Sequence, residues 1–171
     1  MADSYRGVIG AIPYAIRHTD SWTMRVYGVV GVVAALFVAL VVTLALVVWM
    51  GETAEMESSI FLFTRSLYVV AGLAAVGPLL APVLLVARRH RRDRSVPDGY
   101  DRTLALTGFG FLVSLYLAVI ISAPVDLREP SDFVIVTFLY ALPPFVGLLL
   151  PILAAVVMVV VYRRLTRQEG S

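Results

Sequence analysis

The residues of this chain with the greatest capacity for chemistry form a dense basic run. In "ARRHRRDR" a single histidine, His90, lies among five arginines. These arginines are Arg88, Arg89, Arg91, Arg92 and Arg94. Guanidinium groups at this density bind phosphates of lipid headgroups or of nucleic acids. Binding to nucleic acid spreads phosphate contacts over a larger basic face, whereas this run lies in a segment of about fifteen residues diluted by aspartates. We therefore expect anionic lipid headgroups as its partner, and no nucleic acid.

Other reactive constellations are not found. The sequence contains no cysteine and two histidines, His18 and His90. A metal site would need further ligands, and we expect His90 to be solvent-exposed. No nucleophile–base pair, HExxH motif, glycine-rich phosphate loop or carboxylate pair stands out. The sequence therefore predicts no catalytic residues, no cofactor-binding residues, no metal ligands, and a protein that is not an enzyme.

The elements that carry the basic run are predicted to be membrane spans. Of the 171 residues 60% are hydrophobic and 15% charged, and the mean hydropathy is +0.88, which is outside the range of soluble domains. Four apolar runs, 26–50, 59–88, 103–123 and 133–162, each reach the roughly 20 residues that a span needs. Only helices satisfy every backbone group within one segment in lipid. We predict an all-α, polytopic membrane protein, a four-helix transmembrane bundle forming a single domain over 1–171.

The charges of the loops predict the direction of the spans. Twelve of the fourteen arginines fall on the side shared by both termini and by the 89–102 loop, and two on the other side. The positive-inside rule places that first side in the cytoplasm of a multi-pass protein of the cell membrane. The first run is too long for the apolar region of a signal peptide, so we interpret it as a retained span.

The segment before the first span is predicted to form a short interfacial helix. Apolar residues fall on one helical face, with arginines and glycines elsewhere. The apolar face comprises Tyr5, Val8, Ile9, Ile12 and Ile16. Pro13 should bend this helix, and Thr19, Asp20 or Ser21 could cap the first span. The alternative is a partner-docking segment.

Small residues at four-residue spacing predict where the helices pack. Residues i and i+4 share a helix face, so small side chains there let two helices approach closely. The stripes are Gly31, Ala35, Ala39 and Thr43 in the first span, and Gly110, Ser114, Ala118 and Ser122 in the third. The apolar runs 26–50, 66–87, 103–123 and 133–162 contain no Asp, Glu, Lys, Arg or His, which argues against proton-coupled transport and intramembrane proteolysis.

Prolines predict kinks in the even-numbered spans. They are Pro78, Pro82, Pro143, Pro144 and Pro151. Each removes a helical hydrogen bond and bends the chain. In the fourth run the sequence leaves two alternatives open: one kinked helix, or a separate oblique or interfacial segment 133–142 followed by a span whose first helical residue is Pro143. Whether the first and second hairpins form a parallel repeat also stays open.

Two short stretches and the absence of lysine carry a resemblance. The "IPYAIR…DSW" segment and "LLAPVLLVARRHRR" are similar to a group of uncharacterised four-span membrane proteins of halophilic archaea, which implies a prokaryotic cell membrane and no assigned activity. Our hypothesis is a non-enzymatic accessory, scaffold or regulatory subunit that contacts lipids, with a membrane-protein partner or a second copy. The alternative is a small oligomeric transporter or channel beside the proline-broken second and fourth spans. A weaker third is an interfacial lipid-modifying enzyme.

Overall fold

The protein is all-α over the residues that the computed structural model describes, which are 7–53, 59–91, 99–128 and 133–167. Six α-helices lie in these ranges. They are α1 (Gly7–His18), α2 (Trp22–Glu52), α3 (Ser59–Arg91), α4 (Tyr100–Ile121), α5 (Val134–Ala141) and α6 (Pro144–Arg167). One turn of 3₁₀ helix, Val125–Leu127, follows α4. The predicted all-helical fold class is confirmed.

Four of these helices, α2, α3, α4 and α6, are long and apolar enough to cross a membrane. In the most apolar window of α2, and in that of α6, only 11% of the residues are buried inside the protein. Such large exposed apolar faces would be unfavourable in water, and they are ordinary where lipid is the solvent. The fold is that of a multi-pass membrane protein.

The observed helices extend or divide the predicted spans. α2 begins at Trp22, four residues before the predicted span. In the predicted 89–102 loop, residues 89–91 belong to α3, Gly99 caps α4 and residues 100–102 belong to α4. Positions 92–98 lie outside the described residues. The fourth run is not one helix. It consists of α5 and α6, separated at Leu142 and Pro143, and Pro144 supplies the first residue of α6, where its missing N–H has no cost.

α4 is the central helix of the bundle, because it contacts α2, α3, α5 and α6. α3 contacts α1, α2 and α4, whereas α6 packs chiefly on α4. One buried cluster joins α1 to α4 through Ala11, Tyr27, Val83 and Leu104, and a second joins α2, α3, α4 and α6. Consequently α3 and α6 flank α4 without packing closely on each other, which leaves a space between them.

α1 packs against the bundle. α1 packs on α3 and α2, and Ala11 and Ala15 are buried there, with Ile12 partly buried in the same cluster. The buried face is therefore centred on the alanines and only overlaps the predicted apolar face, of which Tyr5 and the side chains of Val8 and Ile9 lie outside the described part. Pro13 lies inside α1 and faces outward.

The bundle has two chemically different ends. We call the end where α1 lies and where α3 and α6 finish the arginine end, and the end where α2 finishes and α3 begins the acidic end. At the arginine end, Ser21, one of the three predicted caps, precedes α2 and caps it: its side chain accepts a hydrogen bond from the Met24 N–H at 3.4 Å.

Candidate functional site: a buried carboxylate cluster and an apolar groove

The carboxylate of Asp101 lies in the first turn of α4 at the arginine end. A carboxylate is stabilised there by the unpaired N–H groups of the helix N-terminus. Gly99, which precedes α4, has a φ of 79°, a left-handed conformation that favours glycine. This turn directs Asp101 into the bundle, and only 9% of its side chain remains exposed.

Two side chains from distant parts of the sequence bind one oxygen of this carboxylate. The Thr19 hydroxyl donates to Asp101 Oδ2 at 2.5 Å, and His90 Nε2 lies 3.0 Å from the same oxygen. Arg25 adds to the connection, because its Nε and Nη2 donate to the Thr19 carbonyl at 3.1 and 2.9 Å. We call these four residues the Asp101 cluster. It joins the α1–α2 turn, the end of α3 and the start of α4.

A second cation lies beside the cluster. The Arg89 guanidinium lies 4.3 Å above the centre of the Tyr100 ring, a geometry that stabilises a cation on an aromatic face. Arg89 is only 7% exposed and Tyr100 only 1%. Arg89 is therefore packed inside the protein and contributes little to the exposed basic surface.

The geometry of the Asp101 cluster determines what it can do. Thr19 and His90 bind the same oxygen of Asp101, so the carboxylate lies between the hydroxyl and the imidazole. In a Ser–His–Asp triad the imidazole contacts the hydroxyl, whereas here both groups contact the carboxylate instead. Over the ranges that the structure covers, no three histidine or acidic residues come together as metal ligands. The arrangement is that of an internal fastening between helices.

The space between α3 and α6 forms an apolar groove of about 830 Å³ with α4 as its floor. We call it the lateral groove. α3 contributes alanines, and α6 contributes a face that runs from Gly147 past Pro151 to Arg163. The polar side chains of its lining are Ser122 and Arg163, one near each end. Lining residues such as Val119, which is 71% exposed, are open to the surroundings of the protein. The groove therefore opens on the side of the bundle, toward the surrounding lipid.

Comparison with known proteins gives a family. The family model of a domain of unknown function, DUF8056, matches residues 1–166. The chain belongs to the DUF8056 family. No curated protein and no solved structure matches it. Membership in an uncharacterised family agrees with the resemblance described above, whereas the halophilic archaeal origin stays a prediction.

The basic run of this DUF8056 protein divides into two parts. Arg88 and Arg91 are exposed at the end of α3, whereas Arg89 and His90 turn inward. The prediction that His90 is solvent-exposed is wrong, because its side chain is 17% exposed and contacts Asp101. Predicted lipid contacts Arg92 and Arg94 lie outside the described residues.

The small-residue stripe of α2 contributes to packing over half its length. Gly31 and Ala35 are buried, and a Cβ at Gly31 would lie 3.3 Å from the Leu79 carbonyl oxygen of α3. Ala39 is half-buried and Thr43 is exposed, and the Thr43 hydroxyl bonds the Ala39 carbonyl of its own helix at 2.7 Å. The stripe therefore packs closely at the arginine-end half of α2.

The stripe of α4 behaves differently along its length. Ser114 is buried and donates to the Phe111 carbonyl of the same helix at 2.6 Å. Toward the acidic end, a Cβ at Gly147 of α6 would lie 2.6 Å from Ser122 Oγ and 3.0 Å from the Ala118 carbonyl oxygen. Gly110, in contrast, is exposed and has nothing within 4 Å of its Cβ position.

The close approach on this part of α4 is at Gly108. A Cβ there would lie 2.3 Å from Cζ of Tyr27, whose ring fills the space. The Tyr27 hydroxyl donates to the Leu79 carbonyl oxygen at 2.7 Å in the buried interior. Leu79 lies three residues before Pro82, in the turn where proline disturbs the helical hydrogen bonds. Tyr27 thus joins α2 and α3, and Gly108 makes room for it.

The predicted proline kinks occupy three kinds of position. Pro78 and Pro82 lie inside α3, which continues through both. Pro143 lies in the break between α5 and α6, and Pro144 begins α6. Pro151 lies inside α6 and lines the lateral groove.

The two arginines on the acidic side bind main-chain oxygens. Arg65 donates to the carbonyl oxygen and the hydroxyl of Thr53, at 3.1 and 2.6 Å. Arg128 donates to the carbonyls of Ala123 and Tyr140, at 3.0 and 2.8 Å. Carbonyls at helix C-termini lack intrahelical partners, so each arginine closes the end of one or two helices. Arg65 and Arg128, the two arginines that lie opposite the other twelve, thus stabilise helix ends.

Proposed function

We propose that this DUF8056 protein is a non-enzymatic accessory, scaffold or regulatory subunit of the cell membrane. The observation that carries the proposal is the use of its polar groups. Asp101, Thr19, His90 and Arg25 bond one another between helices, and Arg65 and Arg128 close helix ends. His90, the histidine of the basic run, and its partners in the Asp101 cluster thus connect helices of the bundle.

The proposed orientation has the arginine end in the cytoplasm. Arginines exposed at this end could contact anionic headgroups or an acidic partner surface. Besides Arg25, which bonds the Thr19 carbonyl, they are Arg17, Arg88, Arg91, Arg102, Arg163, Arg164 and Arg167. The partner class that fits the long exposed faces of α2 and α6 is another membrane protein, because such faces contact only lipid or other membrane helices.

The test is co-purification. Full-length protein with an affinity tag is extracted from the native host in a mild detergent, and bound proteins are quantified by mass spectrometry. We expect one membrane protein in stoichiometric amount, reduced when Arg88 and Arg102 are both replaced by glutamine. An equal exchange of two exposed acids, Asp20 and Asp126, for asparagine is the control. Purification of the chain without a stoichiometric protein partner would contradict the scaffold role.

The alternative is a small oligomeric transporter or channel beside the proline-containing second and fourth spans, of which the fourth is divided into α5 and α6. One observation favours it: Pro151 and Gly147 of α6 line the lateral groove, where the sequence predicted a pathway beside the second and fourth spans. The groove is lined by apolar side chains apart from its ends, and broken helices conduct solutes through exposed carbonyls in polar cavities. Solute flux into liposomes containing the purified protein, lost in Gly147→Leu, would favour transport over the scaffold.

A further inference from the structure

We propose that the lateral groove is a binding site for one anionic phospholipid of the leaflet at the arginine end. The lipid would place its hydrocarbon chains against α3, α4 and α6 and its phosphate at Arg163. This inference goes beyond the scaffold role and does not require it.

The groove is long enough for the hydrocarbon chains of a lipid. From Gly147 to Arg163 the α6 lining rises through 16 helical steps, about 24 Å. Half of a bilayer core is roughly 15 Å thick, so the chains of a lipid whose phosphate lies at Arg163 can lie along the groove over their whole length.

The lining has the chemistry of a site for an amphiphile. Its middle is apolar, with Ala71, Ala74 and Ala75 of α3 facing Ile152 and Ala155 of α6. Alanines leave space that larger side chains would fill. Because the groove opens toward lipid, hydrocarbon can enter without crossing water, and an empty groove would leave its walls without van der Waals contacts.

The charge at one end selects the headgroup. Arg163 lines the groove at the arginine end and is exposed, so its guanidinium can reach the headgroup layer. Guanidinium binds phosphate through two parallel hydrogen bonds. Arg167 follows on the same helix end and raises the local positive potential. A phospholipid with net negative charge is therefore favoured over a zwitterionic one.

The adjacent positions of α6 provide matched variants. Val156 lines the groove and is 53% exposed, whereas Val157 is 55% exposed and does not line it. Val156→Phe fills the groove, and Val157→Phe adds the same atoms to a lipid-facing surface. In the same way, Arg163→Gln removes the charge at the groove and Arg164→Gln removes a neighbouring charge outside the lining. Far-ultraviolet circular dichroism checks that all four variants fold.

The experiment is native mass spectrometry of the full chain in mild detergent with equal phosphatidylglycerol and phosphatidylcholine. We expect one retained phosphatidylglycerol per chain. Val156→Phe should abolish it, and Arg163→Gln should weaken it about fivefold, the equivalent of about 1 kcal/mol for one arginine–headgroup contact. Val157→Phe and Arg164→Gln should retain more lipid than their matched partners.

Four results would overturn the inference. They are no retained lipid, equal retention of phosphatidylcholine, equal losses in both members of each matched pair, or a dimer that Val156→Phe dissociates, which would assign the groove to a second copy. Retained lipid without any protein partner would leave this inference standing while the scaffold role fails. A stoichiometric protein partner without retained lipid would support the scaffold role and contradict this inference.

Discussion

Two glycines of α4, two residues apart, should respond oppositely to the same substitution. Gly108 faces the Tyr27 ring, and its added Cβ would lie 2.3 Å from Cζ and 2.6 Å from the hydroxyl oxygen of that ring. Gly110 faces outward with nothing within 4 Å. Both are helical, so the intrinsic preference for alanine over glycine is the same at both positions. The difference between the two variants therefore measures the packing of Tyr27.

The magnitude follows from the contacts. In Gly108→Ala the ring must move, which costs about 1–3 kcal/mol as overpacking of a filled interior. If the hydroxyl loses the Leu79 carbonyl, the unpaired buried groups cost about 1–3 kcal/mol more. Helix propensity returns about 0.5–1 kcal/mol. We expect a net loss in the free energy of unfolding of about 0–2.5 kcal/mol if the hydroxyl keeps its partner and about 1–5.5 kcal/mol if it does not, against a gain of about 0.5–1 kcal/mol for Gly110→Ala.

The assay is reversible unfolding in mixed micelles by titration with a denaturing detergent, followed by circular dichroism. Combining Gly108→Ala with Tyr27→Leu removes the clashing ring, so the double variant should lose less stability than the sum of the two single variants, by about 0.5–3 kcal/mol. Additive losses, or equal effects of the alanine substitutions at positions 108 and 110, would refute the reasoning.

Two further predictions concern the fastenings at either end. Asp101→Ala should lower the free energy of unfolding by about 3 kcal/mol, because Thr19 and His90 each lose a hydrogen bond to a charged group, worth about 1.5 kcal/mol. We use the lower end of the range for such bonds because burying the carboxylate in the folded protein costs desolvation energy. The same assay with Asp126→Ala, an exposed acid, should show little change. Arg128→Gln should accelerate amide hydrogen exchange over α5, because the carbonyls that end α4 and α5 lose their shared donor; exchange mass spectrometry measures this.

Each of these has a contradicting outcome. Equal stability of the variants at Asp101 and Asp126 would mean that the cluster does not fasten α1 to the bundle. In Arg128→Gln, the rate of amide exchange over Val134–Ala141 is compared with that of α2, which serves as the internal reference. An unchanged rate over α5 would mean that its packing on α4 alone holds it in place.

The spans could be predicted from the sequence because the bilayer imposes a length that a run of apolar residues reveals directly. Two adjacent prolines made a break in the fourth run one of two alternatives, with Pro143 as the first residue of the span; in the structure the break lies at Leu142 and Pro143, and Pro144 begins α6. The sequence left this open because a single proline, such as Pro151, can also remain inside a helix. Tertiary packing determines whether such a proline lies at the start of a helix or inside one.

The contacts between helices could not be predicted in the same way. Thr19 and Asp101 are 82 positions apart, and no periodicity connects them. In α4 the four-residue spacing of small residues predicts Gly110 as a packing position, and this is wrong: Gly110 is exposed, whereas Gly108 is buried against Tyr27. Apolar residues surround this helix, so their pattern does not show which face is buried. His90 was expected in solvent because its neighbours are arginines, but α3 continues to Arg91 and turns the imidazole toward Asp101.

Single-cysteine labelling tests the central claim, a four-span bundle with its arginine end in the cytoplasm, most directly. The chain has no cysteine, so Arg102→Cys and Asp126→Cys each place one thiol on an exposed position at opposite ends. A membrane-impermeant maleimide should label the Asp126 variant in intact cells, and the Arg102 variant only after permeabilisation. Labelling of the Arg102 variant in intact cells, or equal labelling of both, would contradict the account.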